Sequence, residues 1–171
     1  MILSDRDILS YLSLGKISID PHPLYNDIQP ASVDLHLSND FKDVNGNQLF
    51  TISLGNKCVK YVLFPKEFIL ASTEEFVSLN SEVVAKLDGK SSIGRKGILV
   101  HCTSGYVDPG WGGRLTLEIY NCSNYPFDLI YNMKICQIRF ELLSSPSNRL
   151  YGDISLGSHY QSATTTEASK S

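Results

Sequence analysis

Three short polar segments carry the residues of this sequence that could do chemistry. The first, residues 87–97, reads Leu-Asp-Gly-Lys-Ser-Ser-Ile-Gly-Arg-Lys-Gly and combines glycines and hydroxyls with three cations, Lys90, Arg95 and Lys96. Glycines let a ligand approach the backbone closely, and hydroxyl, amide and cationic groups donate hydrogen bonds to phosphate. The segment therefore predicts an anion site, with a solvated basic turn as the alternative. It is not a P-loop, because that motif requires a glycine where Val84 stands.

The other two segments each supply a carboxylate. Residues 105–113 read Gly-Tyr-Val-Asp-Pro-Gly-Trp-Gly-Gly, and the Asp-Pro-Gly turn makes Asp108 either a turn residue or a catalyst. Residues 114–121 alternate apolar and polar side chains, as in a strand with one buried face, and Glu118 falls on the polar face. Strand propensity disfavours a mid-strand carboxylate, which suggests a function, although exposed strand faces often carry glutamate.

Many strands are predicted to position these segments. A short N-terminal helix is predicted after Ser4, a good N-cap, with Asp7 at its third position and Gly15 at its end. Residues 32–37 then alternate as in a half-buried strand. Further strand-like runs cover residues 48–53, 58–64, 68–71, 76–79, 82–87, 98–102, 114–120, 127–130 and 135–142. This spacing predicts a mainly β fold, a barrel or sandwich with one short helix.

The bulk composition fits one globular domain. The chain has 171 residues, of which 42% are hydrophobic and 19% charged. We expect residues 1–160 to form the domain and the mostly polar residues 161–171 to form a flexible C-terminal tail. A net charge of −3 argues against a nucleic-acid coat, but it allows a local basic cluster that holds one charged small ligand.

The sequence predicts a cytoplasmic protein without a membrane or disulfide framework. It contains no run of about 20 apolar residues, and its start has no signal-peptide pattern. The cysteines are widely spaced, form no CxxC pair and each lie in or beside an apolar run, which predicts buried free thiols. They are Cys58, Cys102, Cys122 and Cys136.

Together, the three polar segments resemble the signature of the dCTP deaminase family. Ser-Ser-Ile-Gly-Arg at 91–95, Val-Asp-Pro-Gly-Trp at 107–111 and Leu-Thr-Leu-Glu-Ile-Tyr-Asn at 115–121 match it in order and spacing. Residues 1–8 are similar to the family's opening, residues 29–35 to its first core strand and residues 135–138 to its last barrel strand. The resemblance covers about residues 1–160 of the chain.

The resemblance implies a dUTPase-like fold, a homotrimer with active sites between subunits, and hydrolytic deamination of dCTP to dUTP and ammonia, which supplies the dTTP pathway. It makes Glu118 the base that activates water for attack on C4 of cytosine, and Arg95 the cation that supports it. Ser91 and Ser104 would help to hold the water. The substrate contacts that it implies are Lys90, Ser91, Ser92, Arg95, Asp108, Thr116, Leu117, Glu118, Gln137 and Tyr151. Tyr106 and Trp111 are predicted interface anchors.

Cofactor predictions follow from the same resemblance. Mg²⁺ would arrive bound to the triphosphate, with no metal ligand on the protein and no zinc. Other deaminases of cytosine use zinc held by an H-x-E…P-C-x-x-C pattern, which is absent here, and a serine nucleophile would need a G-x-S-x-G elbow, which is also absent. The histidines have no cysteine partners at ligand spacing; they are His22, His36, His101 and His159.

Three departures from the family pattern bear on function. Lys90 stands where arginine is common, which keeps the charge but loses the bidentate fork. Ser104 replaces a usual alanine. Residues 159–163 lack the lysine and second glutamine of a run that closes over the phosphates, so the tail is predicted to contribute less to binding.

The sequence leaves alternatives open for the product of the reaction and for the class of protein. Gly105 followed by Tyr106 resembles members that continue to dUMP and pyrophosphate, whereas members that stop at dUTP tend to carry histidine at that position. A plain dUTPase would use Asp108 and magnesium to activate water but would normally lack Glu118. A non-catalytic nucleotide-binding trimer is the third alternative. dTTP is a candidate inhibitor.

Overall fold

Residues 1–53, 59–103 and 105–170 are described by a computed structural model, and within them the chain is mainly β, as predicted. The elements are α1 (Asp5–Ser13), β1 (Ile17–Asp20), a 3-10 helix (Tyr25–Asp27), β2 (Ile28–Gln29), β3 (Ser32–His36), β4 (Ile52–Ser53), β5 (Val59–Leu63), β6 (Phe68–Leu79), β7 (Val83–Gly89), α2 (Ser91–Gly94), β8 (Ile98–Leu99), β9 (Tyr106–Val107), β10 (Gly112–Asn121), β11 (Phe127–Ile130), β12 (Lys134–Leu142) and a second 3-10 helix (Ile154–Leu156). Cys58 and Ser104, both named by the sequence analysis, lie outside the described residues.

Helix α1 begins and ends where the sequence predicts. The Ser4 hydroxyl accepts a hydrogen bond from the Asp7 amide at 3.4 Å and donates one to the Asp7 carboxylate at 2.9 Å. Gly15, with φ +67°, takes the left-handed conformation that ends helices and favours glycine. Ile8 is fully buried, so the helix is anchored on the core.

The strands form three antiparallel sheets. Their orders are β1-β6-β10-β8, β11-β5-β4 and β2-β3-β12-β7-β9. One apolar core is shared by side chains from all three sheets. Among the described strands no pairing closes a sheet on itself, so of the predicted barrel or sandwich the closed barrel is not formed, and open sheets surround a common core. Edge strands β8 and β9 are only two residues long, too short to carry a ladder further.

Strand β6 replaces two predicted strands at 68–71 and 76–79. It continues through Ser-Thr-Glu-Glu at 72–75 because these polar side chains find partners inside the fold. The Thr73 hydroxyl accepts from the Leu115 amide at 3.0 Å and donates to the Glu75 carbonyl at 2.8 Å. Strand β1, which was not predicted, pairs with the far end of β6. Its buried Ile17 and Ile19 alternate with polar residues, so the signal was present.

Strand β3 is buried more completely than the predicted half-buried strand. Val33, Asp34 and Leu35 are all buried, and Asp34 is only 3% exposed. The strand lies inside the five-stranded sheet between β2 and β12, and lysines cover its polar face. The alternation of residue types identified the strand but not the burial of its aspartate.

The cysteine prediction is correct for one residue and wrong for two. Cys136 is buried in β12, but Cys102 and Cys122 are exposed free thiols. Both follow short or ending strands, where the chain leaves the sheet. Burial and the nearby Glu118 carboxylate raise the pKa of Cys102, which stays a protonated thiol at neutral pH.

The C-terminal segment lies along β10. The Ser162 amide donates to the Gly112 carbonyl at 2.7 Å, and the Arg114 amide donates to the Ala163 carbonyl at 2.8 Å. Thr166 is 1% exposed. The predicted mobility of this segment without nucleotide stays a prediction. No α-helix in the described ranges is long and apolar enough to span a membrane.

Candidate active site

Strand β10 presents its polar face as the alternation predicts. Leu115, Leu117 and Ile119 are buried, while Thr116 and Glu118 are partly exposed on the opposite face. β10 pairs with β6 along most of its length, which fixes this face rigidly. Leu117, predicted as a substrate contact, has a fully buried side chain and could meet a ligand only through its backbone.

The Glu118 carboxylate is held by the loop that follows β8. Its Oε2 accepts hydrogen bonds from the Cys102 amide at 2.9 Å and the Thr103 amide at 3.2 Å. The Thr103 hydroxyl lies 3.3 Å from Oε2 and 3.4 Å from Oε1. These donors fix the orientation of the carboxylate, which a general base must hold toward the proton it takes. Sequence reasoning missed Thr103, although it directly precedes the predicted water-holding residue Ser104.

Glu118 and Asp108 line one cavity of about 480 Å³. Thr116 and Tyr151 lie in the same wall, so four predicted site residues are brought together. Aromatic rings form much of the remaining wall, and such surfaces suit a flat heterocyclic base. The wall aromatics are Phe68, Tyr106, Trp111, Tyr151 and Tyr160. A cavity of this size accepts a small organic ligand.

Trp111 belongs to this cavity and not to a free surface. It is 9% exposed, its indole nitrogen donates to the Gly113 carbonyl at 3.3 Å, and its ring centroid lies 5.2 Å from that of Tyr151. The prediction that Trp111 anchors a subunit interface is therefore corrected, because most of its side-chain surface is already buried within the chain. Tyr106 remains 55% exposed.

A second, polar cavity of about 470 Å³ contains the predicted anion segment. Lys90, Ser91 and Ser92 line one side at the start of α2, and Gln137 of β12 lies beside them. The β2–β3 turn completes the wall with Gln29, Pro30, Ala31 and Ser32. One cation with several hydroxyl and amide groups is a donor set that fits phosphate oxygens.

The predicted catalytic trio is not assembled within one chain. Glu118 lines the first cavity, Ser91 the second, and Arg95 a separate groove beside Tyr125 and Phe127. Arg95 is exposed, and in the described part of the chain its guanidinium makes no hydrogen bond or ion pair. The predicted base and the predicted anion segment therefore lie in two separate cavities, the first and the second half-site.

Lys90 makes an ion pair that the sequence analysis did not foresee. Its ammonium contacts the Asp34 carboxylate, which also lies 3.2 Å from the Lys134 ammonium. Lys134 contacts Asp27 at 2.8 Å as well. Burial would raise the pKa of Asp27, but the Lys134 hydrogen bond and the Leu24 amide outweigh it, and that pKa lies below its usual value.

Gly105 packs directly against strand β7. A Cβ there would lie 2.3 Å from the Leu87 carbonyl oxygen, and the Leu87 amide donates to the Gly105 carbonyl at 2.6 Å. Any side chain at position 105 would require the loop beside Glu118 to move. In the described ranges, no group of three or more histidine, cysteine, aspartate or glutamate residues is placed to hold a metal ion.

Comparison with known proteins decides the family. A family model described as dCTP deaminase-like matches residues 2–143. The chain belongs to the dCTP deaminase-like family. It is 40% identical to a protein of Methanothermobacter thermautotrophicus named dCTP deaminase, dUMP-forming, over 99% of this chain and 93% of that protein. It is 43% identical to a protein of the same name from Bifidobacterium adolescentis, over 94% of this chain and 89% of that protein.

Solved structures agree with this family at the level of the fold. The 2'-deoxycytidine 5'-triphosphate deaminase of Agrobacterium tumefaciens superposes with a TM-score of 0.68 at 23% identity, covering 83% of this chain and 48% of that one. The dUTPase of phage phi11 of S. aureus superposes with a TM-score of 0.55 at 15% identity, covering 78% of this chain and 94% of that one. The predicted dUTPase-like fold is confirmed.

Proposed function

We propose that this member of the dCTP deaminase-like family converts dCTP to dUMP, acting in the cytoplasm on the nucleotide pool. The names of the relatives at about 40% identity support the substrate and the product. The observation that carries the proposal is the Glu118 carboxylate, which three donors orient toward a cavity that also contains Asp108.

The first step is hydrolytic deamination. Glu118 takes a proton from water as the oxygen attacks C4 of cytosine, and it returns the proton to the amino group. The C4–N bond breaks, ammonia leaves and dUTP remains. The amides of Cys102 and Thr103 keep the carboxylate in place during both transfers, so no reorganisation of the loop is needed.

The second step is hydrolysis at the α-phosphorus of dUTP. Water attacks phosphorus, the bond to the β-phosphate oxygen breaks, and dUMP and pyrophosphate are released. Asp108 is proposed to align this water, and its position in the wall of the same cavity as Glu118 supports this role. The steric fit of Gly105 against Leu87 gives a further reason why histidine is absent from this position.

Mg²⁺ is proposed to enter with the nucleotide. The Asp108 side chain is exposed and has no hydrogen-bond or ion-pair partner in the described ranges, which leaves it free to approach a phosphate-bound ion. Mg²⁺ commonly binds substrate phosphates and keeps several waters, so it needs no dedicated ligand set on the protein. Bound Mg²⁺ would neutralise phosphate charge. Zinc has no part in the proposal.

A homotrimer is proposed to unite the two half-sites. Within one chain, Glu118 faces one cavity while Lys90 and Ser91 face another, so the complete site requires a second subunit. Cyclic assembly of three chains would place the anion segment of one beside the base of the next. Arg95, exposed on a third groove, is available for the same contact.

A plain dUTPase is the second candidate, and the position of Asp108 favours it. It would act on dUTP alone, and Glu118 would then have no chemical task. dTTP, which shares the triphosphate and a pyrimidine ring, is a proposed competitor for either activity.

Product analysis separates these functions. Purified protein is incubated with dCTP or dUTP and Mg²⁺, and ammonia, pyrophosphate and nucleotides are followed during the first turnovers. Ammonia, dUMP and pyrophosphate from dCTP are expected, without stoichiometric zinc in the protein. dUTP accumulating without pyrophosphate would restrict the enzyme to deamination, and hydrolysis of dUTP alone would make it a dUTPase.

A further inference from the structure

A chain of ion pairs between two buried carboxylates and two partly exposed lysines leads to the cation of the polar cavity. The Lys90 ammonium contacts Asp34 Oδ1, Asp34 Oδ2 lies 3.2 Å from the Lys134 ammonium, and Lys134 lies 2.8 Å from Asp27 Oδ1. Charges alternate along this path, which runs from the cavity through β3 and the start of β12 to the 3-10 helix at Tyr25–Asp27. Lys90 is the member that lines the cavity.

Asp34 is the central group of this chain. Its side chain is 3% exposed, and each of its oxygens faces a lysine. A buried carboxylate without partners is strongly unfavourable, and here two ammonium groups supply the partners. The pairing constrains Lys90 in return, because its ammonium must stay within reach of a carboxylate fixed in the middle of a strand.

A lysine side chain has high rotamer entropy, which is lost when it binds a ligand. An ammonium that an internal carboxylate already holds has lost much of that freedom before the ligand arrives. An ammonium also has three donors, so one can serve Asp34 while others serve an anion. Lys90 is 21% exposed on its side chain, which leaves it accessible from the cavity.

We propose that Asp34 is a positioning residue, which acts through Lys90 to preorganise the polar cavity for the triphosphate of the nucleotide. This inference rests on the proposed function for the identity of the ligand. In this proposal Asp34 does not touch the substrate, and the contact of Lys134 with the second oxygen keeps the Asp34 carboxylate oriented toward Lys90. The ion pair with Asp34 compensates for the presence of lysine at position 90, because a lysine side chain lacks the rigid, forked guanidinium of arginine.

The test is a double-mutant cycle on KM and kcat for dCTP. Asp34→Asn keeps the shape of the side chain and removes its charge, and we expect KM to rise about tenfold with kcat changed less than about threefold. In a Lys90→Met background, Asp34→Asn should change KM by less than about twofold, because Lys90, the residue through which Asp34 acts, is absent. Equal increases of KM in both backgrounds would overturn the proposal.

Asp27→Asn is the matched control. Asp27 is 5% exposed and also binds Lys134, but it does not contact Lys90, so its loss should lower the melting temperature as Asp34→Asn does and leave KM within about twofold. An equal rise of KM in Asp27→Asn would mean that Asp34 acts through general stability, and the positioning role would be rejected.

Calorimetric titration with inorganic tripolyphosphate separates this inference from the proposed function. If the parent protein binds tripolyphosphate but does not deaminate dCTP, the proposed function fails, while the same cycle on Kd still tests Asp34. If Asp34→Asn does not fold, the NMR signal of the Lys90 ammonium is measured in the parent protein instead. That signal is assigned by its disappearance in Lys90→Met. Slow proton exchange of that ammonium without ligand is expected, and rapid exchange would overturn the proposal.

Discussion

The two half-sites are held in place by different means. Glu118 is fixed mainly by main-chain amides of one loop, whereas Lys90 is fixed by a buried side-chain carboxylate. Main-chain donors persist when a neighbouring side chain changes, so the position of the Glu118 carboxylate, the proposed base, depends on the path of the loop. The position of the cation depends on single charged residues. Substitutions should therefore affect rate mainly at the first half-site and affinity mainly at the second.

The largest effect is expected for Glu118→Gln. Loss of a general base costs about 10²–10⁴-fold in rate, so kcat for deamination should fall by that factor while triphosphate affinity is retained. The amide is nearly isosteric and lies on the partly exposed face of β10, so the melting temperature should change little.

The control for that variant is Glu141→Gln, a glutamate of β12 that lines neither half-site and pairs with Arg139 at 3.4 Å. Its turnover should match the parent. Ammonia release by Glu118→Gln at more than about a tenth of the parental rate would show that Glu118 is not the base.

Subunit mixing tests whether the half-sites belong to different chains. Glu118→Gln and Arg95→Ala should each be nearly inactive alone. In a randomly mixed cyclic trimer of the two, about three quarters of the assemblies are mixed and each holds one intact site in three, which restores about a quarter of the parental activity. Sedimentation should show a trimer. Persistent inactivity of the mixture would place Arg95 and Glu118 in the site of a single chain.

A smaller effect is expected for Thr103→Val. It removes the hydroxyl at 3.3 Å from the Glu118 carboxylate but leaves both amides, so kcat should fall about twofold to fivefold, equivalent to ~0.5–1 kcal/mol. Thr103→Ser retains the hydroxyl and should keep the parental kcat. A loss larger than a hundredfold in the valine variant would mean that the hydroxyl, and not the main chain, holds the base.

Local patterns predicted much of the fold and of the first half-site. The alternation in residues 114–121 identified the face of Glu118, and Ser4 and Gly15 marked the ends of α1. The sequence pattern predicted strands and burial incorrectly where a polar residue pairs with a residue far away in the sequence. Thr73 in β6 bonds to Leu115, and Asp34 in β3 bonds to lysines 56 and 100 positions away. A short stretch of sequence never contains both members of such a pair. Strand propensities therefore predict that these polar residues are exposed or that they interrupt a strand.

The smallest effect concerns the C-terminal segment. The Glu167 amide donates to the Thr116 hydroxyl at 3.2 Å. Thr166 donates two hydrogen bonds to Asp40, from its amide to the carboxylate and from its hydroxyl to the carbonyl, each at 2.8 Å. These contacts join the segment to the wall of the Glu118 cavity, where Ala163 and Glu167 also lie. They use backbone and hydroxyl groups, which water can replace at modest cost.

Deletion of residues 161–171 should therefore raise KM for dCTP about twofold to threefold and leave kcat nearly unchanged, since each lost hydrogen bond is worth ~0.5–1 kcal/mol. The absence of a lysine in residues 159–163 points the same way, because no cation of that run is available for the phosphates. Thr166→Val, which removes one buried hydroxyl from the intact chain, is the control for packing and should lower the melting temperature without changing KM. Abolished turnover in the deletion variant, with the fold intact, would assign the closing contacts over the nucleotide to Gln161 or the threonines after all.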